Sequence, residues 1–160
     1  LFRSEATSLA VLAFGGGLFT NLFKLLMPRW RPLQFPGGKS VWETFAGWPF
    51  VASDSPFGRL GYQTHSFPSA HTATAVGLAI GLSVLYPRGR WLFVAGVILV
   101  ALQRQAVRAH FTSDTLSGAA IGCLWGAIWL HPRLLGPELN AQFRRQVPVS
   151  LITASEAPST

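Results

Sequence analysis

The sequence predicts an all-α fold, an integral membrane helical bundle with about four spanning helices. Three observations predict it. Hydrophobic residues fill 49% of the 160 positions and charged residues only 12%, where about a quarter charged is usual for a soluble domain. Four stretches lack Asp, Glu, Lys and Arg altogether: Ala6 to Phe23, Phe67 to Pro87, Trp91 to Gln103 and Thr115 to Pro132. Glycine recurs every fourth residue in two of them, at Gly77 and Gly81 and at Gly118, Gly122 and Gly126. That spacing lets helix backbones approach closely in lipid. The same composition excludes general disorder, and the single cysteine, Cys123, excludes a disulfide scaffold.

A spanning helix needs roughly 20 mainly apolar residues. The first helix is expected over about 6–27, stopped by Pro28 and Pro32. Residues 28–66 then form a long loop carrying Trp30, Trp42 and Trp48. Tryptophan suits a membrane interface, and the loop has the length of a lid. The second helix is expected over 70–86, followed by the short basic turn Pro87-Arg88-Gly89-Arg90. The third, 91–108, has a charge-free core of only 13 residues. It reaches bilayer length by continuing through Gln103, Arg104 and Gln105. A charge inside a membrane helix usually faces a cavity, which marks out Arg104. The fourth covers 113–131. Residues 1–131 are thus expected to form the membrane domain. Residues 132–160, polar and holding Pro132, Pro137, Pro148 and Pro158, are expected to be a poorly ordered cytoplasmic tail.

The net charge is +7. A nucleic-acid binder would spread its basic residues over a soluble face; here they sit at helix ends, so nucleic acid is not an expected partner. Four crossings put Arg3, Arg88, Arg90, Arg133, Arg144 and Arg145 on one side, which the positive-inside rule makes cytoplasmic. The opposite side carries seven basic residues: Lys24, Arg29, Arg31, Lys39, Arg59, Arg104 and Arg108. By count alone the rule fails. It holds if several of those seven are kept for a task.

Three clusters meet on that far side. Lys24 and Arg31 lie at the exit of the first helix, Pro68-Ser69-Ala70-His71 at the entrance to the second, and Arg104 to Asp114, with His110 inside, between the third and fourth. Arginine pairs well with phosphate oxygens through its planar fork. Ser69 stands at an N-cap position, so the first amides of the second helix, near Ala70 and His71, form an anion site. His110 and Asp114 are four apart, and one helical turn would bring them into contact. A carboxylate on one ring nitrogen would leave the other as nucleophile. His71 is placed to give a proton to a leaving oxygen. Taken singly, each of these residues has a bland reading. A histidine near a helix end is usually a surface or capping residue, and His65 and His131 are read that way. Lys24 and Arg31 alone would be snorkelling residues, and Asp114 alone a favourable helix-start carboxylate. The three clusters together carry the signal.

Lys24-x6-Arg31-Pro32, Pro68-Ser69-x-His71 and Arg104-x5-His110-x3-Asp114 resemble the type 2 phosphatidic acid phosphatase family, part of the lipid phosphate phosphatase and vanadium haloperoxidase superfamily. The resemblance covers residues 24 to 114 and implies a bacterial inner-membrane phosphatase without metal or other cofactor. His110 would form a phosphohistidine, Asp114 would orient it and His71 would protonate the leaving group. Lys24, Arg31, Arg104, Ser69 and the amide near Ala70 would hold the phosphoryl oxygens. The implied substrate is a lipid phosphomonoester or diphosphate at the periplasmic face: phosphatidic acid, phosphatidylglycerol phosphate, undecaprenyl diphosphate or a lipid A phosphate. Substrate and membrane lipids are the implied partners. Two positions depart from the family: Ala70 stands where glycine is usual, and Gln103 where serine is usual. Membrane members often have six spanning helices, so the chain would hold the last four; either two precede Leu1 or the protein is a short form, and Leu1 favours the first. Phosphate transfer to a lipid acceptor and a non-catalytic phospholipid-binding role are the alternatives. The retained His71, His110 and Asp114 argue against the second.

Overall fold

The computed structural model describes residues 2–35, 40–45 and 64–131. The expected tail, much of the 28–66 loop including Trp48, and Lys39 and Arg59 lie outside the described residues. Four α-helices make up most of the rest: α1 Phe2–Leu26, α2 Ala70–Leu85, α3 Arg90–Ala106 and α4 Thr112–Trp129. Two 3-10 turns, Val41–Thr44 and Pro87–Gly89, join them in chain order, and among the described residues there is no strand. The all-α expectation agrees with this, and the bounds agree within a few residues. Among the described residues, only 6–26 of α1 suffice by length and composition to cross a membrane; α2 is a shorter apolar helix.

The helices alternate in direction. The C-terminal ends of α1 and α3 and the N-terminal ends of α2 and α4 therefore meet at one end. Contacts there confirm the meeting: Ser69 N donates to the Asp114 carbonyl at 2.9 Å, and Leu33 N to the Arg108 carbonyl at 3.1 Å. Helix α2 is central, packing on α1, α3 and α4. Ser69 caps it, its hydroxyl accepting from Thr72 N at 3.5 Å and from the Thr72 hydroxyl at 3.1 Å.

The glycine spacing works as packing. A Cβ on Gly77 would run into the Leu12 carbonyl of α1, and one on Gly118 into the Ser69 carbonyl. A Cβ on Gly122 would lie 2.8 Å from the Ala73 carbonyl. Leu12 and Ala73 are fully buried at these crossings. Trp125 of α4 closes the other flank, donating from Nε1 to the Val11 carbonyl at 3.0 Å and stacking on Phe19 and Trp129. Helix α3 is different. It buries no residue, and Trp91, Leu92 and Leu99 stay 66–73% exposed. Phe14, Leu18, Leu116 and Leu124 likewise point outward from α1 and α4.

Gly118→Ala should therefore lower the thermal midpoint in detergent, at a cost of about 1–3 kcal/mol, because backbone must move to admit the methyl. Gly96→Ala in α3, where a Cβ meets nothing within 4 Å, should leave the midpoint unchanged or raise it. Equal midpoints for the two variants would contradict the close α2–α4 approach.

Candidate functional site at the helix ends

Asp114 lies in the first turn of α4 and is fully buried. Its main chain helps close that turn, with Asp114 N donating to the Phe111 carbonyl at 3.0 Å. The carboxylate returns the bond: Oδ2 accepts from Phe111 N at 2.8 Å and from the Ser66 hydroxyl at 2.6 Å. Oδ1 accepts from Nη1 of Arg29 in a buried ion pair. An isolated buried carboxylate would be costly, and these partners supply the compensation.

Arg29 is the residue that sequence reasoning passed over. It is 3% exposed. Its Nε donates to the Thr44 hydroxyl at 2.9 Å and Nη1 also to the Ser113 hydroxyl at 2.7 Å. The rings of Phe45 and Phe111 pack on the guanidinium, 4.9 and 4.3 Å from ring centroid to Cζ. Its main chain donates to the Thr64 carbonyl at 2.7 Å and accepts from Ser66 N at 3.1 Å. In the sequence Arg29 is one of three cations between residues 24 and 31, and nothing local sets it apart. The signal available was the need of Asp114, a carboxylate at the edge of an apolar stretch, for a cation.

His110 sits in the turn before α4, not on the helix, and is buried. The expected contact with Asp114 forms at ion-pair range and not as a hydrogen bond: Nδ1 lies 3.8 Å from Oδ2, whose hydrogen bonds go to Ser66 and Phe111. Nδ1 lies instead 2.7 Å from the Ser66 carbonyl. A carbonyl can only accept, so Nδ1 carries the proton and Nε2 carries the lone pair of the neutral ring.

The other expected site residues gather around this centre. His71 lies within electrostatic range of Arg104, His110, Lys24 and Arg31, which repel its protonated ring, and Lys24 within range of Arg31, which repels it, and of Asp114, which attracts it. His71 is exposed, Arg31 buried, and Lys24 and Arg104 half-buried. The Ser69 hydroxyl is buried and turned to Thr72. Ala70 opens α2 without strain, since Arg108 is the only non-glycine residue with positive φ among the described residues. Gln103 accepts from Nε of Arg104 at 2.6 Å and so steers that cation. His65 is half-buried rather than a surface cap. Burial, with Lys24 and Arg31 beside it, holds it below the usual histidine range, which keeps it neutral at pH 7. Among the described residues no group of three His, Cys, Asp or Glu side chains is arranged to hold a metal ion.

Two grooves lead away from this end. One, between α1, α2 and α3, has Ala70 and His71 at its mouth and Ala10, Phe14, Thr74 and Val100 along it. The other, along α1 and α4, is lined by Lys24, His65, Leu18, Leu25 and Trp125.

These features define a class: helical bundles that collect cations and histidines where four helix ends meet. Residues 5–134 match the PAP2 superfamily, and the chain belongs to it. It is 33% identical over 129 residues to a lipid A 1-phosphatase of Rhizobium etli, covering 75% of this chain and 50% of that protein. The figures for a lipid A 1-phosphatase of Rhizobium johnstonii are 33% over 129 residues, 75% and 48%. A lipid A 4'-phosphatase of Bacteroides thetaiotaomicron is 36% identical over 87 residues, 52% of this chain and 36% of that one. The chain spans about half the length of the first two relatives. No solved structure matches it significantly.

Arg108, with φ 52°, turns the chain from α3 into the His110 loop. The left-handed backbone costs an ordinary residue about 1–2 kcal/mol. Arg108→Gly should keep or raise the thermal midpoint, while Arg108→Val, branched at Cβ, should lower it. A lower midpoint for the glycine than for the valine variant would contradict this turn geometry.

Proposed function

We propose that the chain is the catalytic part of a lipid phosphatase that works through a phosphohistidine. The observation that carries the reading is the state of His110. Its Nδ1 proton is committed to the Ser66 carbonyl, so Nε2 has a lone pair facing chemistry that Lys24, Arg31, Arg104 and the N-terminus of α2 favour. Nε2 attacks phosphorus and the P–O bond to the lipid breaks. His71 gives its proton to the departing oxygen. Water then attacks phosphorus, His71 takes its proton, the P–N bond breaks with its electron pair returning to Nε2, and inorganic phosphate leaves. The cations stabilise the charge that gathers on the equatorial oxygens. Asp114, 3.8 Å from Nδ1, balances the positive ring. No metal is required by these steps.

The substrate is a phosphate ester on an apolar anchor. The groove that opens at His71 and runs along α1 between apolar side chains suits a lipid tail. The names of the relatives favour a lipid A phosphate over the phosphatidic acid, phosphatidylglycerol phosphate and undecaprenyl diphosphate classes. The outward apolar faces of α1, α3 and α4 fit a bundle of four spanning helices. The site would then face the periplasm from the bacterial inner membrane.

Purified protein in detergent should release phosphate from a lipid A phosphate faster than from the other three classes, and should do so in excess EDTA. His110→Ala should lose at least about a thousandfold in rate. His71→Ala should slow formation of the phosphoenzyme roughly 10²–10⁴-fold on a lipid phosphate but much less on nitrophenyl phosphate, whose leaving group needs no proton. Full turnover by the His110 variant would remove the nucleophile. Equal slowing of phosphoenzyme formation on both substrates would remove the acid role of His71.

A further inference from the structure

The geometry points to Arg29 as the positioning residue of the histidine centre, holding Asp114 charged and in place and, through Ser66, setting the ring of His110. The inference rests on the proposed role of His110 as nucleophile. Arg29 differs in kind from the other cations of the site. Lys24 and Arg104 are half-buried and Arg31 is buried at 8% exposure, whereas Arg29, at 3%, is ion-paired to Asp114. Its Nε and Nη1 donors go to Thr44, Ser113 and Asp114, and the rings of Phe45 and Phe111 pack on it. A guanidinium held this way has a protein carboxylate, not a substrate phosphate, as its counter-ion.

Its grip on His110 takes two routes. The side chain fixes Oδ1 of Asp114, whose Oδ2 holds the Ser66 hydroxyl at 2.6 Å. The main chain accepts from Ser66 N at 3.1 Å and donates to the Thr64 carbonyl at 2.7 Å. Both routes converge on Ser66, and the Ser66 carbonyl takes the Nδ1 proton of His110. Asp114 itself makes no hydrogen bond to the ring, at 3.8 Å. It acts by charge on the imidazolium that forms when Nε2 bonds phosphorus, and that action requires the carboxylate to stay ionised. Arg29 supplies that condition together with the Ser66 hydroxyl and Phe111 N, which donate to Oδ2.

The test is a double-variant cycle on the full chain in detergent, reading kcat and KM with a lipid phosphate, with His110→Ala alongside. Arg29→Gln should lower kcat on the order of 100-fold, with KM within about threefold. Asp114→Asn should lose a similar amount. The double variant should fall no more than about threefold below Asp114→Asn, because a neutral asparagine has no charge for Arg29 to balance. Arg29→Lys should recover about tenfold over Arg29→Gln, since it restores charge without the fork. Losses that multiply in the double variant would overturn the coupling. A raised KM with intact kcat would make Arg29 a substrate ligand instead. If Arg29→Gln does not fold, because it strands the buried carboxylate, the double variant carries no such charge and takes its place in the comparison. There, a kcat equal to that of Asp114→Asn supports the inference, and a further 100-fold loss overturns it. An active His110→Ala would bring down the nucleophile reading instead, whatever Arg29 does.

Discussion

The buried Arg29–Asp114 pair is the interaction on which the ordered end of this bundle depends. It joins the segment after α1 to the first turn of α4 across 85 positions of chain. Ser66, Thr44, Ser113 and Phe111 take their places as partners of one of the two charges. Removing one member of such a pair typically costs about 3–5 kcal/mol, because the other charge is left buried and unpaired. The pair is at once a bolt between segments and the electrostatic setting of His110.

Close backbone approach makes the pair reachable. Gly77 lets α2 sink against Leu12, and Gly118 lets α4 sink against Ser69. The second contact matters most for the site, since it lies one turn from the bond between Ser69 N and the Asp114 carbonyl. Side chains at these positions would separate the N-terminus of α2 from the carboxylate turn. The bundle thus keeps its buried polar groups at one end and shows apolar side chains outward along α1, α3 and α4. That distribution is the reverse of what water selects and is well matched to hydrocarbon.

Much of this was legible in the sequence, for physical reasons that differ by element. Charge-free stretches ended by proline or by basic turns marked the helices, and their bounds agree within a few residues. The glycine spacing at 77 and 81 and at 118, 122 and 126 is a geometric requirement, and the crossings use it. Ser69 before an apolar helix reads as a cap because few residues can do that job, and it caps α2. The details of the histidine centre were not legible. Spacing of four between His110 and Asp114 suggested contact within a helix, but α4 begins at Thr112, so the ring turns to a backbone carbonyl that no sequence pattern advertises. Arg29 escaped because its partner lies far along the chain and its neighbours Lys24 and Arg31 carry the same charge. Only the demand of a buried aspartate for a cation pointed its way, and that demand names no residue.

The central claim is that Nδ1 of His110 is tied to Ser66 and Nε2 does the chemistry. Phosphohistidine exists as two isomers that report this directly. Rapid quenching of the protein with a radiolabelled lipid phosphate, followed by alkaline hydrolysis and separation of the isomers, reads which nitrogen carried phosphorus. The account expects label on Nε2 of His110 alone. Label on Nδ1, or on any other residue, would contradict it.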